Sequence, residues 1–199
     1  MARVAFLVDE MFEDSEFRVP YDRVKDQGHE PVIVGLSAGK QLTGKKGKEK
    51  ITVEQATDDV TADDFDAVAI PGGYSPDHLR ESRSAVNLVR SAYLQGKPVA
   101  AVCHAGWMLV EADIADGQTL TSWPSIKTDL LNAGARWVDR EVVEDGNLIT
   151  SRKPDDLGAF SDALIRQIER GAAPRAEPGL APEAAAQEPA PSQQERRVA

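Results

Sequence analysis

The sequence predicts an α/β fold in which a mainly parallel sheet is covered by helices on both faces. Two observations point there. Four short runs, VAFLV (4–8), PVIVGL (31–36), DAVAI (66–70) and PVAAV (98–102), are almost wholly apolar, as strands buried on both faces must be. The segments that follow three of them carry helical spacing with start and stop residues, and strictly alternating strand and helix closes most simply into a parallel sheet.

The elements follow in order. After the first strand, Asp14-Ser15 opens a helix to about Lys25, with Gly28 as its stop and Pro20 inside it as a kink. After the second, residues 41–55 read as two short strands around a Gly- and Lys-rich turn, a small antiparallel hairpin. The third strand runs into PGGYSP, where Ser75 is the expected N-cap and Pro76 the first helical residue. A helix over 84–95 ends at Gly96. The fourth strand leads directly into a helix over 104–112. A strand at TLTSW (119–123), a helix over 124–133, a hairpin about EDGN (144–147) and a helix over 155–169 complete a domain of residues 1–170. From 171 the chain is rich in Ala, Pro and Glu and poor in large apolar side chains, so 171–199 is expected to be a disordered tail.

Composition narrows the function. A formal charge of -10 argues against a general nucleic-acid binder, which needs a basic face. No apolar run approaches the roughly 20 residues that span a bilayer, and the first ten residues do not read as a signal peptide, so the expected place is the cytoplasm. A single cysteine, Cys103, makes no internal disulfide and fits a reducing compartment. Three histidines and one cysteine are too few for a structural zinc site, and neither metal nor cofactor is expected.

Cys103 stands where a strand turns sharply into a helix, the arrangement of a nucleophile elbow. Such a turn needs small residues two positions to either side, here Ala101 and Ala105. At a helix start, unpaired N–H groups favour a thiolate. The glycine loop after the third strand leaves the same sheet edge, and the N–H groups of Gly73 and His104 together would make an oxyanion hole, with Gly72 allowing close approach. The loop after the first strand offers Glu10, Glu13 and Glu16 to the same edge, and the pattern does not choose among them. His104 adjoins the nucleophile, His78 competes from the glycine loop, and His29 lies at the opposite strand end.

These segments, with FEDSEFRVPYDRVKDQGHE, LTGKKG, AIPGGYSPDHLR, GKPVAAVCHAGWMLVEA, TSWPSIKTDLLNAGARWVD and DGNLITSRKPDDL, resemble the PfpI-type intracellular peptidases and general stress proteins of the ThiJ/PfpI superfamily, over about residues 3 to 170. The resemblance implies a flavodoxin-like three-layer sandwich of the class I glutamine amidotransferase-like kind and a homodimer or higher oligomer. It implies Cys103 as nucleophile, His104 as its histidine, Glu13 as the carboxylic acid, and Asp77, from a neighbouring subunit, in place of the family's glutamate. Trp107 stands in CHAGW where the family commonly shows Cys-His-Gly-Pro; Trp107, Trp123 and Arg152 are assigned to the pocket lining. The implied activities are those of a stress-response cysteine hydrolase or lyase: glyoxalase or deglycase action on small carbonyl or glycated substrates, or peptide hydrolysis. The alternatives are a non-enzymatic or chaperone-like oxidative-stress sensor working through Cys103 oxidation, and a binding module that kept only the fold.

Overall fold

A computed structural model describes residues 1–171; the expected tail lies, beyond Gly171, outside the described residues. The strands are β1 (Arg3–Leu7), β2 (Glu30–Gly35), β3 (Gln41–Thr43), β4 (Lys50–Thr52), β5 (Gln55–Ala56), β6 (Ala67–Ile70), β7 (Val99–Val102), β8 (Thr119–Leu120), β9 (Arg136–Trp137), β10 (Val142–Asp145) and β11 (Leu148–Ser151). The helices are α1 (Asp14–Asp26), α2 (Ser75–Leu79), α3 (Arg83–Leu94), α4 (Gly106–Glu111), α5 (Lys127–Asn132) and α6 (Leu157–Arg170).

Among the described residues the main sheet has seven strands in the order β10-β11-β7-β6-β1-β2-β5. Every neighbouring pair is parallel except the β10–β11 hairpin. Every residue of β6, β7 and β11 is buried, which is why these strands read as continuous apolar runs. Successive side chains along the strands feed two cores in turn. Leu7, Val68, Ile70, Val99 and Ala101 pack with α3, α4 and α5 on one face. Phe6, Val8, Ala69, Ala100 and Val102 pack with α1 and α6 on the other. The result is the three-layer, flavodoxin-like sandwich the sequence predicts.

Several boundaries differ from expectation, each for a local reason. Pro20 sits buried inside α1 without ending it. Tyr74 takes the N-cap position of α2, because the Ser75 hydroxyl instead accepts from the Asp9 N–H at 2.8 Å and so ties two loops together. The segment after β7 begins as a 3-10 turn, Cys103–Ala105, before α4. Another 3-10 turn, Pro124–Ile126, precedes α5. The hairpin expected over 41–55 is β3–β4, while residues 55 and 56 form β5 on the edge of the main sheet. Residues 119–120 form β8, which pairs with β9 away from that sheet.

The order places β1 at a switch point: β2 lies on one side and β6 on the other. Ligand crevices of open α/β sheets form at such a point, outside the carboxyl strand ends. The loops after β1 and β6 meet there beside the end of β7.

Phe17 anchors α1 against the sheet through ring contacts with Phe6, Phe12 and Tyr21, and it is fully buried. We expect Phe17→Ala to lower unfolding free energy by about 3–5 kcal/mol, as large-to-small core changes do, read from urea unfolding. A loss under about 1 kcal/mol would show that the α1 layer does not depend on this cluster.

Candidate active site

Cys103 has φ +63°, in the left-handed region that a non-glycine side chain rarely adopts. That strain turns the chain from β7 into the 3-10 turn and holds the thiol at the sheet edge, where it is 6% exposed. Ala101 and Ala105 are buried on either side. The Gly73 and His104 N–H groups both act on the sulfur and favour its charged form. This brings Cys103, Gly73 and His104 together as the elbow reading requires.

Gly72 is wedged against the nucleophile. A Cβ there would lie 2.6 Å from Glu16 Oε2, 2.7 Å from Cys103 Cβ and 3.0 Å from the His104 nitrogen. Its N–H donates to Glu16 Oε2 at 2.9 Å, and its carbonyl accepts from the Glu13 N–H at 3.2 Å. The glycine therefore serves the start of α1 as a capping residue from another part of the chain. Phe12 and Gly73 form an antiparallel bridge, and the Tyr74 N–H donates to the Met11 carbonyl at 2.9 Å, Met11 itself being left-handed.

The acid beside the sulfur is Glu16; Glu13, which the family resemblance implied, is turned elsewhere. Glu16 is 1% exposed and its carboxyl meets the Cys103 thiol. Burial, with the nearby Glu13 charge, raises its pKa to about 7 against the pull of the Gly72 N–H. Oε1 has no N–H or O–H donor among the described residues. Burial, then the Glu16 charge, pushes the Cys103 thiol up to about 12, while the two N–H groups pull it down. The carboxyl and the thiol, both buried, thus compete for protons side by side.

Glu13 binds Lys45 Nζ at 2.7 Å and Lys46 Nζ at 2.6 Å. Burial raises its pKa, but the two lysines outweigh that and hold it below the ordinary carboxylate value. The lysines arrive on the β3–β4 turn, which Asp14 grips by accepting the N–H groups of Lys46, Lys48 and Glu49. Glu10 accepts from the Thr43 N–H on the same hairpin.

His104 Nδ1 lies 3.2 Å from Cys103 Sγ, and Nε2 lies 3.2 Å from Ser125 Oγ. Burial and the Lys45 charge depress its pKa, so the ring is neutral at neutral pH. Trp107 and Trp123 flank it at centroid distances of 5.3 and 6.5 Å. Among the described residues Ser125, and no carboxylate, faces Nε2. Asp77 is exposed and pairs with Arg80 at 3.8 Å. His78 lies 3.9 Å from Asp9, and His29 accepts from the Ala2 N–H. Arg152 follows β11 at the same sheet edge, but Asp156 and Asp139 hold its guanidinium. Lys45 and Ser125 were not singled out from sequence; the lysine-rich turn was the one visible signal for the first.

An α/β sandwich with a strained cysteine elbow and a buried carboxyl beside it defines a class of thiol-bearing proteins. Residues 2–167 match the DJ-1/PfpI family, and the chain belongs to that family. It is 44% identical over 167 residues to Protein/nucleic acid deglycase 2 of Escherichia coli, spanning 83% of this chain and 97% of that one. It is 43% identical to the putative cysteine protease YraA of Bacillus subtilis, spanning 84% and 98%. Among solved structures, a two-domain protein from Anabaena variabilis with DJ-1/ThiJ/PfpI-like and ferritin-like domains has a TM-score of 0.84 at 40% identity. The match covers 85% of this chain and about half, 48%, of that one.

Glu16 has a raised folded pKa, so its contribution to stability is fully present below the ordinary value of 4.5 and is lost as pH rises through about 7. Relative to Glu16→Gln, the protein should lose about 3 kcal/mol between pH 4.5 and 7.5. Urea unfolding across that range checks this; parallel curves for the two proteins would mean that Glu16 titrates normally.

Proposed function

We propose that this protein is a cysteine-dependent enzyme acting on small carbonyl compounds and the glycated groups they form. The observation that carries the reading is the left-handed Cys103, with the Gly73 and His104 N–H groups favouring its charged form and a protonatable, buried Glu16 beside it. The E. coli relative's name, a protein and nucleic acid deglycase, supports the same substrate class.

The chemistry follows from the groups present. The Cys103 thiol gives its proton to the Glu16 carboxylate as the sulfur adds to the aldehyde carbon of a 2-oxoaldehyde such as methylglyoxal. The carbonyl electron pair moves to oxygen, faced by the Gly73 and His104 N–H groups, and that oxygen takes a proton from Glu16. Glu16, now a carboxylate, removes the C1 proton and returns one to C2, while the proton of the C1 hydroxyl passes to the C2 oxygen. This isomerises the hemithioacetal to a thioester of a 2-hydroxy acid without gain or loss of atoms. Neutral His104 takes a proton from water, the hydroxide displaces sulfur from the thioester to give lactate, and the leaving sulfur takes that proton from His104, restoring the thiol.

Peptide hydrolysis is the second reading, favoured by the contact between His104 Nδ1 and Sγ and by the name of the B. subtilis relative. A single reactive thiol suits a reducing compartment such as the cytoplasm, and among the described residues no helix is long and apolar enough to cross a membrane. Self-association belongs to the same proposal: Asp77 is exposed on α2, and a neighbouring copy would bring it to His104.

Cys103→Ser should cut methylglyoxal turnover, followed as lactate formed, to below about one-thousandth. Full turnover in that variant would refute Cys103 as nucleophile. For the peptide reading, a fluorogenic peptide must be cleaved by the native protein and spared by Cys103→Ser. If Asp77 acts across an interface, dilution should lower particle size and activity together, with sedimentation and rate measured on the same samples; an active monomer would exclude the shared site.

A further inference from the structure

The β3–β4 turn holds a feature the chemistry above leaves unused. Five of the chain's nine lysines, at positions 40, 45, 46, 48 and 50, fall within eleven residues of a protein whose formal charge is -10. We propose that Lys45 and Lys46 form an anion-reading subsite at the mouth of the Cys103 pocket, which selects carbonyl substrates that carry a carboxylate or phosphate close to the reacting carbon. The inference rests on the reading of Cys103 as the reactive group and names the substrate class within it.

The geometry puts this charge beside the sulfur. The Lys45 N–H donates to the Phe12 carbonyl at 2.8 Å; Phe12 is bridged to Gly73, whose N–H favours the charged form of the sulfur. Only two backbone contacts separate the turn from the reacting atom. The Lys45 charge acts on Cys103, Glu16 and His104 alike. Two ammonium groups share one carboxylate, Glu13, which is itself 3% exposed and needs only one of them to be neutralised. Both lysines keep exposure, at 33% and 51% of their side chains, so an incoming anion finds a cation already held in place. Asp14 is satisfied by backbone N–H groups and does not compete for them. Elsewhere the field of this acidic chain repels anions, so the turn marks where one is admitted.

The test uses two reagents with the same iodomethyl carbon: neutral iodoacetamide and anionic iodoacetate. In each, the thiolate sulfur forms the new C–S bond and iodide leaves. With the full chain, iodoacetate should alkylate Cys103 about tenfold faster than iodoacetamide, and the ratio should fall with added salt. Lys45→Met should remove the preference, Lys46→Met should reduce it, and Lys45→Arg should keep it. Should Lys45→Met fail to fold, the other two variants decide. A native ratio at or below one, or a ratio that Lys46→Met leaves unchanged, would overturn the subsite. Protection from iodoacetamide by inorganic phosphate or by acetate names the anion; protection by neither also overturns it. Methylglyoxal turnover on the same samples separates the two readings. Turnover without charge preference sinks only the subsite, whereas charge preference without turnover sinks only the enzyme.

Discussion

A carboxyl group almost out of water, with one N–H on one of its oxygens and a thiol beside it, sets the terms on which three loops meet. Glu16 reaches Gly72 only because Gly72 has no side chain; a Cβ there would collide with both Glu16 and Cys103. The same glycine returns its carbonyl to the Glu13 N–H. That pair of bonds fixes the start of α1 against the end of β6, and β6 lies beside β7, which carries the nucleophile. Burying an acid in this way costs free energy. Its retention in a pocket with a strained cysteine is the kind of local conflict expected at a functional site.

Two glutamates one helical turn apart have opposite fates. Glu13 is held ionised by Lys45 and Lys46, and its charge helps keep the proton on Glu16. A pair of similar groups whose proton affinities are driven apart supplies one fixed charge and one mobile proton. His104 adds a neutral ring, kept so by burial and by Lys45. The pocket therefore holds a nucleophile, a proton carrier and an uncharged base near neutral pH, with no metal required by the steps above.

Much of this was legible in the sequence because it depends on short-range rules. The four apolar runs gave the central strands and hence the sheet edge, and the small residues around Cys103 gave the elbow. What was not legible depends on register and on long-range pairing. Glu13 and Glu16 are equivalent as letters; only the N-cap at Glu13 and its bond to Gly72 turn one toward lysine and the other toward sulfur. Ser125 comes from a 3-10 turn 21 residues beyond the histidine it meets. The two-residue strands β5 and β9 carry too little pattern to be read. Arg152 lies beside the right strand end, but two carboxylates hold its guanidinium, and no sequence rule shows that.

The first turn of α1 ties these facts together. Glu13, Asp14 and Glu16 each bind a different partner: the lysine side chains, the backbone of the hairpin turn, and the glycine beside the nucleophile. Because one rigid turn makes all three contacts, the proton inventory of the pocket and the charge at its mouth are set together. A shift of that turn would loosen the lysines, expose Glu16 to water and return its proton affinity toward the ordinary range, since burial is the largest cause of its elevation. The aromatic cluster around Phe17, one residue further along the helix, opposes such a shift by holding α1 on the sheet. Packing in the α1 layer thereby acts on chemistry at the sheet edge, through the position of a single carboxyl group.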